Sequence, residues 1–276
     1  AAFPPRPKGR GLHAVDMMKY QTIMRSIFAK ISVFFIFFFS QMGFSDNLEN
    51  VSIIDTIHEE IRNLGENKNF TFIDLKISEE DLLLIDQLNV EVSKIYDQVG
   101  NLHCLKEELP HFLQSIGNNS EQVIEKITEV IVRITTDVTK ACNKDTAWVS
   151  VRASTPHHGY DIPRWHYDGY YYTPREELSY KFVMSLKGTH TLFSQLPQEL
   201  REVFRAHAKD RAYLGSLLDP SQIEKAKLGE GTFFIVGSLN SAASHSEPRV
   251  DSQRLFISIV PGNEDEIQEF DQDRRP

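Results

Sequence analysis

The chain has 276 residues, 41% of them hydrophobic and 25% charged, a balance that suits a globular protein and excludes wholesale disorder. Its formal net charge is −9, and an acidic surface repels phosphate backbones and anionic lipid. Nucleic acid and membrane surface are therefore excluded as default partners.

From Met18 the sequence runs through Lys19, Arg25 and Lys30 into the apolar run 31–39, then Gly43 and Ser45. A positive start, a short apolar stretch and small residues are the three parts of a secretory signal. Residues 1–45 are thus expected to be upstream sequence plus signal peptide, giving an exported protein, periplasmic or secreted. The run is short for a membrane span, which needs roughly 20 residues. Anchoring by residues 31–39 stays open as the alternative, with no stable span once the signal is cleaved. Cys104 and Cys142 are either one disulfide between helices or a pair of buried thiols.

Residues 46–146 read as a mainly helical region. Val51, Ile54, Ile57, Ile61 and Leu64 recur at helical spacing, with Gly65 ending the helix. The β-branched and aromatic stretch 70–75 reads as a strand, and Ser78 opens a second helix with acids in its first turn. A helical stretch with Cys104 is broken or kinked near Pro110. Asn119 caps a long helix that buries Val123, Ile124, Ile127, Val130, Ile131, Ile134 and Val138. No polar groups converge in this half.

The character changes at Ala147. Residues 148–153 alternate as a strand should, and 178–186, 232–236 and 253–260 are further strands, the last stopped by Pro261-Gly262. Helical turns are expected over 197–207 and from Asp219. Short strands with turn residues over 147–262 predict an antiparallel barrel or sandwich. The charged tail 263–276 is expected to fray.

Trp165-His166-Tyr167-Asp168 carries the chemistry. A His-x-Asp pair sets an imidazole and a carboxylate on one face of extended backbone, because side chains alternate with period two. With His245 from a later strand, His166 and Asp168 make two histidines and one carboxylate. That donor set leaves half an octahedron open, as non-haem Fe(II) oxygenases need. Arg254, nine positions after His245 in an apolar run, offers a two-pronged guanidinium to a carboxylate near the metal.

In this order the residues resemble the 2-oxoglutarate/Fe(II)-dependent dioxygenases, especially the prolyl-hydroxylase-like branch. The likeness covers roughly residues 147–262 and includes Gly229-Glu230-Gly231-Thr232-Phe233-Phe234, similar to the turn and strand before the distal histidine. Arg152, His166-Tyr167-Asp168, Lys181…Gly188-Thr189 and His245-Ser246-Glu247-Pro248…Arg254-Leu255 are also similar to an uncharacterised bacterial domain family with the same ligand layout. The resemblance implies an α+β fold with N-terminal helices packed on a C-terminal double-stranded β-helix, a jelly-roll or cupin-like barrel. It implies His166, Asp168 and His245 as metal ligands, Fe(II) as metal, 2-oxoglutarate as cosubstrate anchored by Arg254, and O₂ as the oxidant. The activity implied is hydroxylation of a small molecule or a protein side chain.

Other residues have two readings. A hydroxyl on Tyr180 or among Tyr167, Tyr170, Tyr171 and Tyr172 touches the cosubstrate, or these tyrosines simply pack. Ser258 is a further cosubstrate candidate. Lys181 is a second carboxylate anchor or a solvent-facing strand lysine. His157-His158 reads as loop near the site, and His190 as a weaker rival ligand. Two other functions stay open: a non-catalytic cupin-like metal or ligand-binding module, and a metal-dependent enzyme of the same barrel that does not use 2-oxoglutarate.

Overall fold

Helix-spaced apolar stripes in the first half and short β-branched runs in the second become helices and two sheets in a computed structural model of the chain. It describes residues 52–100, 102–156, 163–172, 178–237 and 240–274. The signal-peptide reading of residues 1–45, the anchor reading of 31–39 and the His157-His158 loop lie outside them. Among the described residues, no helix is long and apolar enough to cross a membrane.

Helix α1 (Ile53–Arg62) starts at Ser52, whose hydroxyl accepts from the Asp55 amide, and it buries Ile57 and Ile61. It ends before Gly65, with Asn63 as its cap; the Gly65 amide donates to Lys68 O in the turn that leads to β1 (Phe70–Asp74). Ser78 caps α2 (Glu79–Asp86) in the same way. Strand β2 (Lys94–Gly100) was not legible, because half-exposed residues and an exposed Ile95 give it no clean alternation. Helix α3 (His103–Ser115) carries Pro110 inside its span.

The long helix α4 (Glu121–Ala141) buries all seven of its expected apolar residues. Its cap is Ser120, one residue later than the sequence suggested. Asn119 ties two loops together instead. Its side-chain amide is buried, accepting from the Asn89 amide and donating to Asn89 O and Leu113 O. Cys104 and Cys142 are free thiols, so of their two readings the disulfide is not formed.

The remaining strands are β3 (Thr146–Ser154), β4 (Arg164–His166), β5 (Ser179–Lys187), β6 (Leu192–Ser194), β7 (Ile223–Lys225), β8 (Glu230–Val236), β9 (Ser244–Glu247) and β10 (Arg254–Gly262). Helices α5 (Gln198–Ala206) and α6 (Arg211–Ser216) and a 3-10 turn (Pro220–Gln222) lie between β6 and β7. All pairings are antiparallel, in a six-stranded sheet of order β1-β8-β5-β10-β3-β2 and a four-stranded sheet of order β4-β9-β6-β7. From β3 to β10 the chain passes back and forth between the sheets. That connectivity is the jelly-roll, or double-stranded β-helix. Strands β1 and β2 extend the larger sheet at its two edges.

Alternation decides what each face of the larger sheet meets. Leu255, Ile257 and Ile259 of β10, with Val149, Val151, Phe182 and Met184, join the core formed with α1 and α4. The intervening residues, Arg254, Phe256 and Ser258 among them, face the opposite way, toward the barrel interior. Pro261-Gly262 does not stop β10: its ladder to β5 ends at Ile259–Phe182, and only β3 pairs with the last two residues. The tail does not simply fray either. Residues Glu264–Arg274 form helix α7, where Ile267 is buried and Glu266 pairs with Lys144 at 3.0 Å.

One glycine bears on the site. Gly188 follows β5 at φ +80, and a Cβ there would run into Gln253 O and the Arg254 backbone. Gly188→Ala is expected to destabilise the protein by about 2 kcal/mol, since both strain and a backbone collision are introduced. Urea unfolding measures this, and a change within a few tenths of a kcal/mol would show that the turn relaxes freely.

Candidate metal centre

Strands β4 and β9 are neighbours, and their register sets His166 directly opposite His245. The two rings lie with centroids 4.3 Å apart. Asp168 follows two residues after His166, just beyond the strand end, where its carbonyl accepts from the Gly237 amide. Its Oδ1 is 3.6 Å from His166 Nε2 and its Oδ2 is 3.6 Å from His245 Nε2. One donor atom from each of the three residues fits within 4.8 Å of the others. His190 does not belong to this group.

The protonation of both rings is set by their far side. His166 Nδ1 lies 2.7 Å from Arg164 O, and His245 Nδ1 lies 3.1 Å from Ala243 O. A carbonyl only accepts, so each Nδ1 carries a proton, which in a neutral ring leaves Nε2 as the lone pair toward Asp168. Burial among Phe193 and Phe234 drives the His245 pKa down to about 3, so this ring is neutral near pH 7. Burial alone would raise the Asp168 pKa, but His245, cationic only in acid, and the Lys181 ammonium, which also donates to the carboxylate, outweigh it and hold the carboxyl below its usual range. Two imidazole Nε2 atoms and a carboxylate thus converge on one point. A divalent cation answers all three, and imidazole backed by a backbone carbonyl is the usual way a metal-binding ring is oriented. Two imidazoles and one carboxylate suit Fe(II).

The buried neutral ring gives a pH dependence. In the unfolded chain a histidine takes up a proton below about pH 6.5, whereas folded His245 resists protonation down to about pH 3. Stability of the metal-free protein is therefore expected to fall as pH drops from about 6.5, by up to about 1.4 kcal/mol per pH unit. Chemical denaturation at pH 7 and pH 5 checks this, with His245→Gln removing this part of the slope.

A cavity of about 490 Å³ opens beside the three residues, with Lys181, Ser258, Phe256 and Trp165 in its walls. Lys181 is not solvent-facing. Its ammonium donates to Asp168 Oδ2 and to Tyr171 Oη, both at 2.8 Å, and its side chain is 13% exposed, as is that of Asp168. Removing it strands a buried carboxylate. Lys181→Met is expected to destabilise the metal-free protein by about 3 kcal/mol, and saturating Mn(II) to restore most of the loss. Thermal unfolding with and without the metal reads both effects; a loss that Mn(II) leaves untouched would separate Lys181 from the metal site.

Arg254 is 3% exposed. Its Nε donates to Thr189 O at 2.8 Å, and its guanidinium carbon lies 4.4 Å from the centroid of the Phe256 ring. Its Nη2 is buried without a hydrogen-bond partner among the described residues. Burial lowers its pKa to about 10, still far above neutrality, so it stays charged. A buried cation with an unanswered N–H is a fitting seat for a carboxylate.

Tyr180 is set apart from this centre. Being adjacent to Lys181 on β5, it points to the other face, where it packs on the helix-side core. The tyrosine cluster divides as well: Tyr171 reaches Lys181, Tyr172 donates to Val260 O, Tyr170 is largely exposed, and Tyr167 packs near Phe204. Sequence reasoning did not single out Arg164, Glu247 as a wall residue, or Arg211. Arg164 was within reach, since it lies two residues before His166 on the same strand face; Arg211 gives no local signal.

No family model matches the chain, and no curated protein matches its sequence. Among solved structures, a prolyl-4-hydroxylase from Pseudomonas putida is similar at 9% identity and a TM-score of 0.38, covering 76% of this chain and 97% of that one. HygX from Streptomyces hygroscopicus, solved with nickel and 2-oxoglutarate bound, is 9% identical with a TM-score of 0.39, over 71% of this chain and 84% of that one. The viral collagen prolyl hydroxylase of Paramecium Bursaria Chlorella virus-1, in its 2-oxoglutarate complex, is 14% identical with a TM-score of 0.33, over 71% and 96%. The fold is fixed by the strand order of this chain, not by these likenesses.

Proposed function

We propose that this chain is an Fe(II)- and 2-oxoglutarate-dependent oxygenase that hydroxylates a small molecule or a protein side chain. The observation that carries the reading is the convergence of His166 Nε2, His245 Nε2 and the Asp168 carboxylate in a barrel that also buries the unanswered Arg254 Nη2.

Bound Fe(II) with 2-oxoglutarate supplies O₂-dependent oxidation, in which the cosubstrate gives up two electrons and leaves as succinate and CO₂. His166, Asp168 and His245 would hold the metal, a donor set with which Fe(II) keeps room for further ligands. Arg254 receives the distal carboxylate of the cosubstrate and fixes its direction. Lys181, once a metal takes over its Asp168 partner, is free to hold a second anionic group. Ser258 offers a hydroxyl from the cavity wall. Trp165, Phe256 and Trp148 give the cavity apolar surface that limits water around the oxidising centre.

One observation favours the rival binding-module reading: the Lys181–Asp168 pair already neutralises the carboxylate without a metal. The test is succinate release from 2-oxoglutarate after anaerobic loading with Fe(II) and addition of O₂, beside the His166→Ala/Asp168→Ala variant. Succinate that disappears in the variant supports the oxygenase. Metal binding lost in the variant, with no succinate from either protein, would replace it with a binding role or a different cosubstrate.

A further inference from the structure

The chain is acidic, with a net charge of −9, yet the cavity beside the metal centre is lined by Arg152, Arg164, Arg211 and Lys181. Among its described lining residues the carboxylates are Asp168 and Glu247 alone. Glu247 is shared: one oxygen lies 3.0 Å from Arg164 Nη1 and the other 3.6 Å from Arg152 Nη1. Arg152 also has a buried Nε with no hydrogen-bond partner among the described residues. Arg211, the first residue of α6, has no ion pair among them.

The oxygenase reading sharpens this imbalance. A divalent metal would draw on the charge of Asp168, which leaves less of it for Lys181. The distal carboxylate of 2-oxoglutarate answers Arg254. Glu247 lies between Arg164 and Arg152, and Arg152 keeps its buried Nε unanswered among the described residues. Lys181, Arg152 and Arg211 then face the cavity with less negative charge among its described walls than they bring. Partly buried cations in excess of their partners are unfavourable, and together they concentrate anions in the cleft.

Register says where this surplus lies. Arg164 opposes Glu247 on the β4–β9 ladder, two residues along both strands from the His166–His245 rung and on the same face. The anion-receiving wall is therefore next to the metal, at a distance of roughly 7 Å along the strand. At about 490 Å³ the cavity falls in the usual range for small-molecule sites.

We propose that the prime substrate is a small acid, whose carboxylate or phosphate is received by Arg152 and Arg211 while the rest of the molecule lies at the metal. This rests on the oxygenase reading for the chemistry done at the metal, but the anion site is testable without turnover.

The test is calorimetric titration of the Mn(II)-loaded full chain under nitrogen, with 2-oxoglutarate saturating so that the cosubstrate place is filled. The probes are glutarate, its neutral counterpart glutaramide, and inorganic phosphate. Glutarate or phosphate is expected to bind at least about 10-fold more tightly than glutaramide. Arg211→Gln and Arg152→Gln are each expected to weaken that binding by about 10-fold while moving the 2-oxoglutarate Kd by less than about twofold. Preference for phosphate over glutarate would mark a phosphorylated substrate, and the reverse a carboxylic acid. No preference for either anion, or anion binding unchanged in both variants, would overturn the proposal. If Mn(II) and 2-oxoglutarate fail to bind but arginine-dependent anion binding persists, the oxygenase reading falls and the anion site stands.

Discussion

The His166→Ala variant is expected to fold like the wild type, hold Fe(II) roughly 1000-fold more weakly, and form no succinate above background. Its side chain is 42% exposed and, among the described residues, its one side-chain hydrogen bond runs to Arg164 O on its own strand. Truncation therefore opens no core cavity, and the loss falls on the metal. Loss of a supporting group behind a ligand costs about 10- to 100-fold in affinity, and a direct ligand costs more. His245 makes a poorer test because its buried ring packs against Phe193 and Phe234, so its removal also costs core packing. Anaerobic dialysis against Fe(II), with thermal unfolding of the same samples, separates the two effects. Unchanged iron affinity in a folded variant would remove His166 from the centre.

Arg254→Leu is expected to raise the Kd for 2-oxoglutarate by about 100-fold, near 2.7 kcal/mol, with little change in Fe(II) affinity. Arg254 has no ion pair among the described residues, so its removal strands no opposite charge and the variant should fold. Arg254→Lys should recover only part of the affinity, because an ammonium lacks the guanidinium's paired N–H geometry. Calorimetry on Mn(II)-loaded protein under nitrogen measures both. A Kd that stays within a few-fold of wild type would favour a metal enzyme of this barrel that does not use 2-oxoglutarate.

These two residues were legible in the sequence for different reasons. Arg254 stands out as a charge opening an apolar strand, and its burial follows from β10 being covered on both faces. His166 and His245 were paired by their resemblance to a family pattern, whereas the reason they meet is the β4–β9 register. That register is invisible locally, because β4 and β9 are short and β9 reads Ser-His-Ser-Glu, with no apolar period at all. Its side chains are nonetheless mostly buried, since the inner face of the small sheet is where the polar site is built. Stripes survived better: α4 is amphipathic over 21 residues, long enough for its spacing to identify it.

The errors have the same physical root. Tyr180 and Lys181 are neighbours in a strand buried on both sides, so composition cannot say which faces the cavity; period two places one there and sends the other to the helices. The tail 263–276 is charged enough to suggest fraying, but one apolar residue, Ile267, and the Glu266–Lys144 pair hold helix α7 against the chain. Arg211 reaches the cavity from α6, far from the ligands in sequence, through packing of the segment between β6 and β7.

The central claim is that His166, Asp168 and His245 form a single metal centre that 2-oxoglutarate joins. Anaerobic calorimetry of the wild type, first with Fe(II) and then with 2-oxoglutarate, tests it most directly. The expected result is a single Fe(II) per chain, 2-oxoglutarate binding that depends on the iron, and loss of both in His166→Ala/Asp168→Ala. Equal iron binding by wild type and the double variant would contradict it.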